Sequence, residues 1–357
     1  MQQILILTTM VGIDNVELQQ VIVHKVGNPT RGESLKLSKN KLTLNDDIVN
    51  KIFVKYLLNG FNENDLYHFT HLSDLGMNEV YNYVQQCFKS DSVFEANSAL
   101  MAQFLYSKST HVKVKEGEMY VVKFDKVPFE GDFIEAFGIF KNESKETYLR
   151  VMEHGQTFEI IGEDGINLSK IDKGCLVFNK NGAEGYYCCI IDNGNKNNDT
   201  AYWVKDFLGV EPVANEYHFT NEYLQVVKQF ATQEMPEHFE VTKGQQIDLM
   251  QRGLDYFKEN EEFVLDDFTE QVIQYPEMIE QFAAFKDNYA QSKNIEMENE
   301  FGIDLSAVKK QSKSFKSVLK LDKNFHIYIH GRRDLLERGY DEETGKFFYK
   351  IYFEEES

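Results

Sequence analysis

The sequence predicts an α+β protein, and three observations carry that prediction. The opening alternates and is rich in Val and Ile, six period-two segments fill the middle of the chain, and residues beyond 200 follow the helical period. Single cores stop growing near roughly 250 to 300 residues, so the 357-residue chain should hold more than one folding unit. Four parts are expected. They are an N-terminal extension over 1–15, a mixed α+β domain with an antiparallel meander over 16–195, an acidic helical section over 196–305 and a small basic β unit over 306–357.

Each element has a local reason. Residues 16–26 alternate, Gly27, Asn28 and Pro29 make a turn, and Leu35, Leu37, Leu42 and Leu44 mark a second strand over 35–44. Asn45 or Asp46 then caps a helix in which Ile48, Val49, Ile52, Phe53, Tyr56 and Leu57 keep helical spacing until Gly60. Helices follow over 78–88 and 94–107. The period then becomes two over 118–124, 133–141, 147–153, 157–162, 174–179 and 185–192, which predicts a six-stranded antiparallel meander. Residues 193–199 lack the acidic spacing of a calcium loop and should form a plain loop ending in an Asp199 cap. Helices are expected over 200–208, stopped by Gly209; over 221–232, behind a Thr220 cap; and up to Asn260 from a capping box of Thr242 and Gln245. Two more cover 266–274 and 276–291. Strands return over 315–321, 325–330 and 347–353.

Apolar residues make up 42% and aromatics 13%, which excludes disorder as the default state. Of the four cysteines, Cys87 and Cys175 stand alone, while Cys188 and Cys189 should point to opposite faces of one strand. No disulfide or zinc framework is present, so the thiols are expected to be buried in a protein of a reducing compartment. The apolar run at residues 4–7 has no preceding basic residue and is too short to span a bilayer. No membrane association is expected, and the location should be cytoplasmic.

The 38 basic and 58 acidic residues give a net charge of −20, which taken whole repels nucleic acid. The charge is lopsided. Residues 234–304 hold 18 acidic and five basic residues, a net of −13. Residues 306–340 hold Lys309, Lys310, Lys313, Lys316, Lys320, Lys323, Arg332, Arg333 and Arg338 against Asp322, Asp334 and Glu337, a net of +6. Six lysines that neutralise duplex phosphates would give a salt slope of about −5 on log axes. The whole chain has few arginines, so base-specific readout is not expected. On the strand over 325–330, Phe325, Ile327 and Ile329 should face the core, leaving His326, Tyr328 and His330 to contact nucleic acid.

Catalytic signals are sparse. There is no phosphate loop, dinucleotide fingerprint or nucleophile bracketed by glycines. His68 and His71 have metal-ligand spacing for a helix but no third ligand. Glu116, Glu118 and Lys123, or Asp132, Glu135 and Lys141, are the residue types of a metal-dependent nuclease with irregular spacing.

The segments VIVHKVGN at 21–28 and LKLSKNKLTL at 35–44 resemble the opening of the bacterial 37 kDa nucleoid-associated proteins, in their longer Bacteroidetes-type form. YVVKF at 120–124, FLG at 207–209 and the run from Ser314 to Glu355 are similar to the same family at corresponding places. The resemblance spans most of the chain. It implies association with the nucleoid, with no established reaction, cofactor or active-site residues to carry over. The expectation is therefore a non-enzymatic protein that binds nucleic acid, double-stranded DNA foremost, through phosphate contacts from the nine basic residues named above. A nucleoid protein partner and a homodimer are further expectations. The alternatives are an interaction scaffold recruited by a partner, and a metal-dependent nuclease.

Overall fold

The fold was obtained as a computed structural model describing residues 13–193, 202–315, 317–322, 324–329 and 335–355, with backbone alone for 317–320 and 329. The chain divides between Val213 and Ala214 into two compact units.

The first unit is built on β1 (Glu17–Val26), β2 (Leu35–Lys36), β3 (Leu66–Phe69), β4 (Gly117–Phe129), β5 (Asp132–Asn142), β6 (Lys145–His154), β7 (Thr157–Ile166), β8 (Lys173–Phe178), β9 (Tyr187–Asp192) and β10 (Val210–Pro212). Eight of them form one antiparallel sheet in the order β10-β3-β9-β8-β5-β4-β1-β2. Alternation assigns its two faces. Ile22, Val121, Ile139, Val177 and Cys188 lie in one core; Val21, Val122, Phe140, Leu176 and Cys189 lie in the other. The first face is covered by α2 (Glu79–Lys89), α3 (Phe94–Lys108) and a π-helical turn, Tyr202–Leu208; the second by α1 (Asp47–Leu58). All four cysteines are free and buried, and the adjacent pair does divide between the faces.

Several expectations change here. All six middle strands form, but they are not one meander. β5 pairs directly with β8, from Ala136↔Phe178 to Lys141↔Lys173, and β6 and β7 form a separate hairpin of ten cross-strand pairs. The reason is composition. β8 is apolar on both faces and belongs inside a sheet covered on both sides, whereas β6 and β7 carry charges that could not be buried there. The strand over 35–44 shrinks to two residues, and the chain beyond it is held by Ser38 N–H on His24 Nδ1 and Leu42 N–H on the Val21 carbonyl. Asp46 caps α1 as expected, yet only the C-terminal half of the helix meets the core. Val54, Leu57 and Leu58 are buried while Ile48, Val49 and Ile52 are exposed. Of the N-terminal extension, Ile13–Asn15 form a short turn with Ile13 against the core. The loop expected to end at Asp199 lies outside the described residues beyond Asn193.

The second unit packs α4 (Glu216–Gln229), α5 (Met235–His238), α6 (Lys243–Glu259), α7 (Leu265–Phe268), α8 (Pro276–Lys293) and α9 (Leu305–Ser312) with the short pair β11 (Glu262–Val264) and β12 (Glu300–Gly302). The Thr242–Gln245 capping box is present. α4 starts earlier than expected because Asn215, not Thr220, is its cap; the Thr220 hydroxyl instead accepts a hydrogen bond from Asp304 N–H. Aromatic rings fill the core: Phe263 lies 5.3 Å from Phe257 and 4.9 Å from Phe301, both stacked. Two hairpins complete the unit, β13 (Ser317–Leu321) with β14 (Phe325–Ile329) and β15 (Leu336–Asp341) with β16 (Lys346–Ile351). Phe315, Ile327, Leu336 and Tyr349 tie them to the helical core.

Candidate nucleic-acid interface

The basic segment starts on α9. Asp304 caps it, accepting from Ser306 N–H and Ala307 N–H at 2.8 and 2.9 Å, and the burial of Ala307 and Val308 sets its rotation. Lys309 and Lys310 occupy the last turn and Lys313 is the C-cap, where positive charge complements the helix dipole. Lys309 and Lys313, four apart, are exposed and pair with no carboxylate among the described residues. Lys310 is held differently. Its ammonium donates to the Tyr217 hydroxyl at 2.9 Å and lies 5.4 Å from that ring's centre.

On β13 and β14 the register places Lys320 opposite His326 and Val318 opposite Tyr328, so these four positions share one face. His326 and Tyr328 are exposed, Tyr328 to 61%. Ile327 packs on the core as expected, but Phe325 does not; it lies at the turn end of the hairpin and is 64% exposed. Alternation chose its face, but the core ends before it. Arg338, on β15, lies over the Phe347 ring at 4.1 Å, and Tyr340 packs on the same ring. Lys316, Lys323, His330, Arg332 and Arg333 lie outside the described residues.

Other candidate chemistry separates in space. His68 sits on strand β3 facing the Glu184 carbonyl, and His71 faces Ser73, so the pair shares no helix face. Asp132 and Lys141 stand at opposite ends of β5, about 30 Å apart at the usual rise per residue. Glu116 pairs with Lys25 and Glu118 with Lys145, while Lys123 bridges Asp91 at 2.8 Å and Glu135 at 3.3 Å. Burial would lower the Lys123 pKa, but these carboxylates raise it above the ordinary lysine value. Neither candidate nuclease set converges. Glu234, Glu237 and His238 bring three ligand atoms within 4.8 Å, but Glu234 also accepts from Gln281 at 2.6 Å and faces His238 at 3.1 Å. Those contacts account for the cluster as part of a helix surface.

A buried charge network was not foreseen from sequence. Lys141 and Lys173 are direct cross-strand neighbours, and both lie against the Tyr202 ring. Lys141 donates to Glu143 at 2.8 Å and to the Lys115 carbonyl at 2.7 Å, Tyr202 donates to Glu143 at 2.9 Å, and Lys173 pairs with Asp192 at 2.6 Å. Burial lowers the Lys141 pKa against the pull of Glu143. Burial would raise the neighbouring Asp172, but hydrogen bonds from Glu143 N–H and Ser144 hold it below the ordinary carboxylate value. The only available signal was a lysine at each of two strand ends, which also fits solvent exposure. With every charge paired, the network closes one end of the sheet.

The family model described as nucleoid-associated protein YejK matches residues 22–350. No curated protein matches the chain.

Proposed function

The chain belongs to the family of the nucleoid-associated protein YejK, and on that premise we propose that it is a non-enzymatic nucleoid component that binds nucleic acid, duplex DNA foremost, through the phosphate backbone. The observation that carries the reading is the outward-facing pair Lys309 and Lys313 at the end of α9, leading into a hairpin where Lys320 neighbours His326 and Tyr328. Ammonium groups there neutralise phosphates and release counterions, while the imidazole and phenol supply stacking and hydrogen-bonding surfaces. Lys316, Lys323, Arg332, Arg333 and Arg338 extend the set in sequence; Lys310 also belongs to it, tethered to Tyr217. The net charge of −13 over residues 234–304 confines contact to this end. Self-association would let one assembly bridge two duplex segments. The family places the protein at the nucleoid in this reading; no helix among the described residues is long and apolar enough to cross a membrane.

A protein scaffold is the second reading, favoured by the way Lys310 packs on its own unit. Titration against labelled duplex at two salt concentrations, with and without magnesium, separates them. Binding that weakens with salt and falls at least tenfold on replacing Lys309, Lys310, Lys313 and Lys316 by Glu is the expected result. Absence of binding at low salt would leave the scaffold, and magnesium-dependent cleavage would restore the nuclease.

A further inference from the structure

The hairpin of β15 and β16 has two unlike faces. Its register sets Leu336 opposite Ile351, Arg338 opposite Tyr349 and Tyr340 opposite Phe347 on one face, and Glu337 opposite Lys350, Gly339 opposite Phe348 and Asp341 opposite Lys346 on the other. The second face is satisfied within the hairpin. The Phe348 ring lies against Gly339, where no Cβ could fit, and Tyr352 donates to Glu337 at 2.8 Å. Lys350 lies over the Tyr352 ring, and Asp341 accepts from Glu343 N–H and the Thr344 hydroxyl at the turn. The first face is satisfied only at its base, where Leu336 and Tyr349 pack on the helical core. Toward the turn it projects Tyr340 and Phe347, 54 and 63% exposed, with the Arg338 guanidinium over the Phe347 ring.

We infer that this outer half of the face is a stacking site for single-stranded DNA. Charge is the first reason. Alternation carries Glu337 and Asp341 to the other side, so Arg338 is the one charged side chain on this face, and it pairs with no carboxylate among the described residues. Its sign suits a polyanion. A guanidinium held over a ring keeps its N–H donors for a phosphate or a base edge and offers a plane on which a base can stack. Access is the second reason. Bases inside a duplex stack on one another and turn only their edges outward, whereas an unpaired strand brings whole base faces to exposed rings. The inference rests on the nucleic-acid reading of this chain, and the nucleoid premise makes the strand DNA. It adds a second mode of contact: the lysines of α9 meet phosphates, and the hairpin takes the bases of an opened strand.

The test is fluorescence anisotropy of the full chain with a labelled oligothymidylate of about 20 nucleotides and with a duplex of the same length, longer than the site of one stacking module. Stacking on an aromatic ring contributes about five- to 150-fold per base. The double variant Tyr340→Leu/Phe347→Leu, which keeps apolar bulk and removes both ring faces, should therefore weaken the single strand at least tenfold and the duplex less than twofold. Because loss of both rings could loosen the hairpin, Phe347→Trp supplies a readout with the site intact. Trp203 is buried in the core of the first unit, so the added emission reports the hairpin, and the oligothymidylate should quench it while the duplex does not. Absence of quenching would overturn the inference, as would equal losses on single strand and duplex in the double variant. An oligouridylate bound tenfold tighter than the oligothymidylate would overturn the choice of DNA. Loss of duplex binding with quenching retained would remove the phosphate reading and leave this one standing; duplex binding without quenching would do the reverse.

Discussion

Acid should weaken the first unit through His24. This residue is buried on β1, where Nδ1 accepts from Ser38 N–H at 3.2 Å and Nε2 lies 3.2 Å from the Ser98 hydroxyl. Ser98 donates its own proton to the Glu95 carbonyl, so Nε2 carries the hydrogen and the ring is neutral. A second proton would have to enter at Nδ1, breaking the bond from Ser38 N–H. Burial accordingly lowers the pKa from 6.5 to about 4. The unfolded chain therefore binds this proton first, and stability is complete above about pH 6.5, falls as the pH drops, and levels off below about 4. The shift corresponds to about 3 kcal/mol at 1.36 kcal/mol per unit, and to about 2 kcal/mol once some relaxation around the charged ring is allowed. The perturbation is His24→Gln, which can accept and donate in place of the ring but does not titrate. The single tryptophan, Trp203, is fully buried in the same core, so its emission follows this unit alone. In urea titrations at pH 7 and pH 4, the wild-type advantage over the variant should shrink by about 2 kcal/mol, other acid effects cancelling in the difference. A gap that stays constant between the two pH values would refute the neutral-ring assignment.

Three further outcomes follow from the packing. Lys141→Met strands Glu143 in the closed end of the sheet and should cost about 3 to 5 kcal/mol by the same Trp203 readout, with Glu143→Gln recovering part of the loss in the double variant. Asn78→Ala removes a cap on Tyr81 N–H together with donors to the Thr70, Leu208 and Gly209 carbonyls, for about 2 to 3 kcal/mol; Asn78→Asp, which keeps the cap and loses the donors, should fall between. Gly185→Ala meets both a φ of 103° and the Phe69 carbonyl oxygen at 2.2 Å from the new Cβ, so denaturant melts should show a loss above about 2 kcal/mol.

Much of the fold is visible in local signals because those signals act locally. Asp46 and Thr242 declare their helices through side-chain caps that need only the next three residues. The alternation through β1, β4 and β5 sorts residues onto two faces before any partner strand is known, and Cys188 and Cys189 separate for the same reason. π-helical turns such as Tyr202–Leu208 follow an apolar pattern that ordinary helix spacing also describes. β3, Leu66–Phe69, has only four residues, too few to show a period, and its pairing with β9 and β10 comes from distant segments. In the basic segment, the lysine spacing predicts one shared surface, but Tyr217, 93 residues earlier, captures Lys310.

Sequence alone therefore determined the α+β class, the helix caps, the two-faced alternation of the strands and the reversal of charge near residue 305, because each depends on neighbours within a few positions. Tertiary structure alone decided that β5 skips to β8 and leaves β6 and β7 as an arm, that Lys141 and Lys173 meet across Tyr202, and that Phe325 stands outside the core. Strand partners and burial are settled by competition among segments far apart in the chain for a limited apolar interior, and a periodicity of two is equally satisfied by a strand that wins that competition and one that loses it.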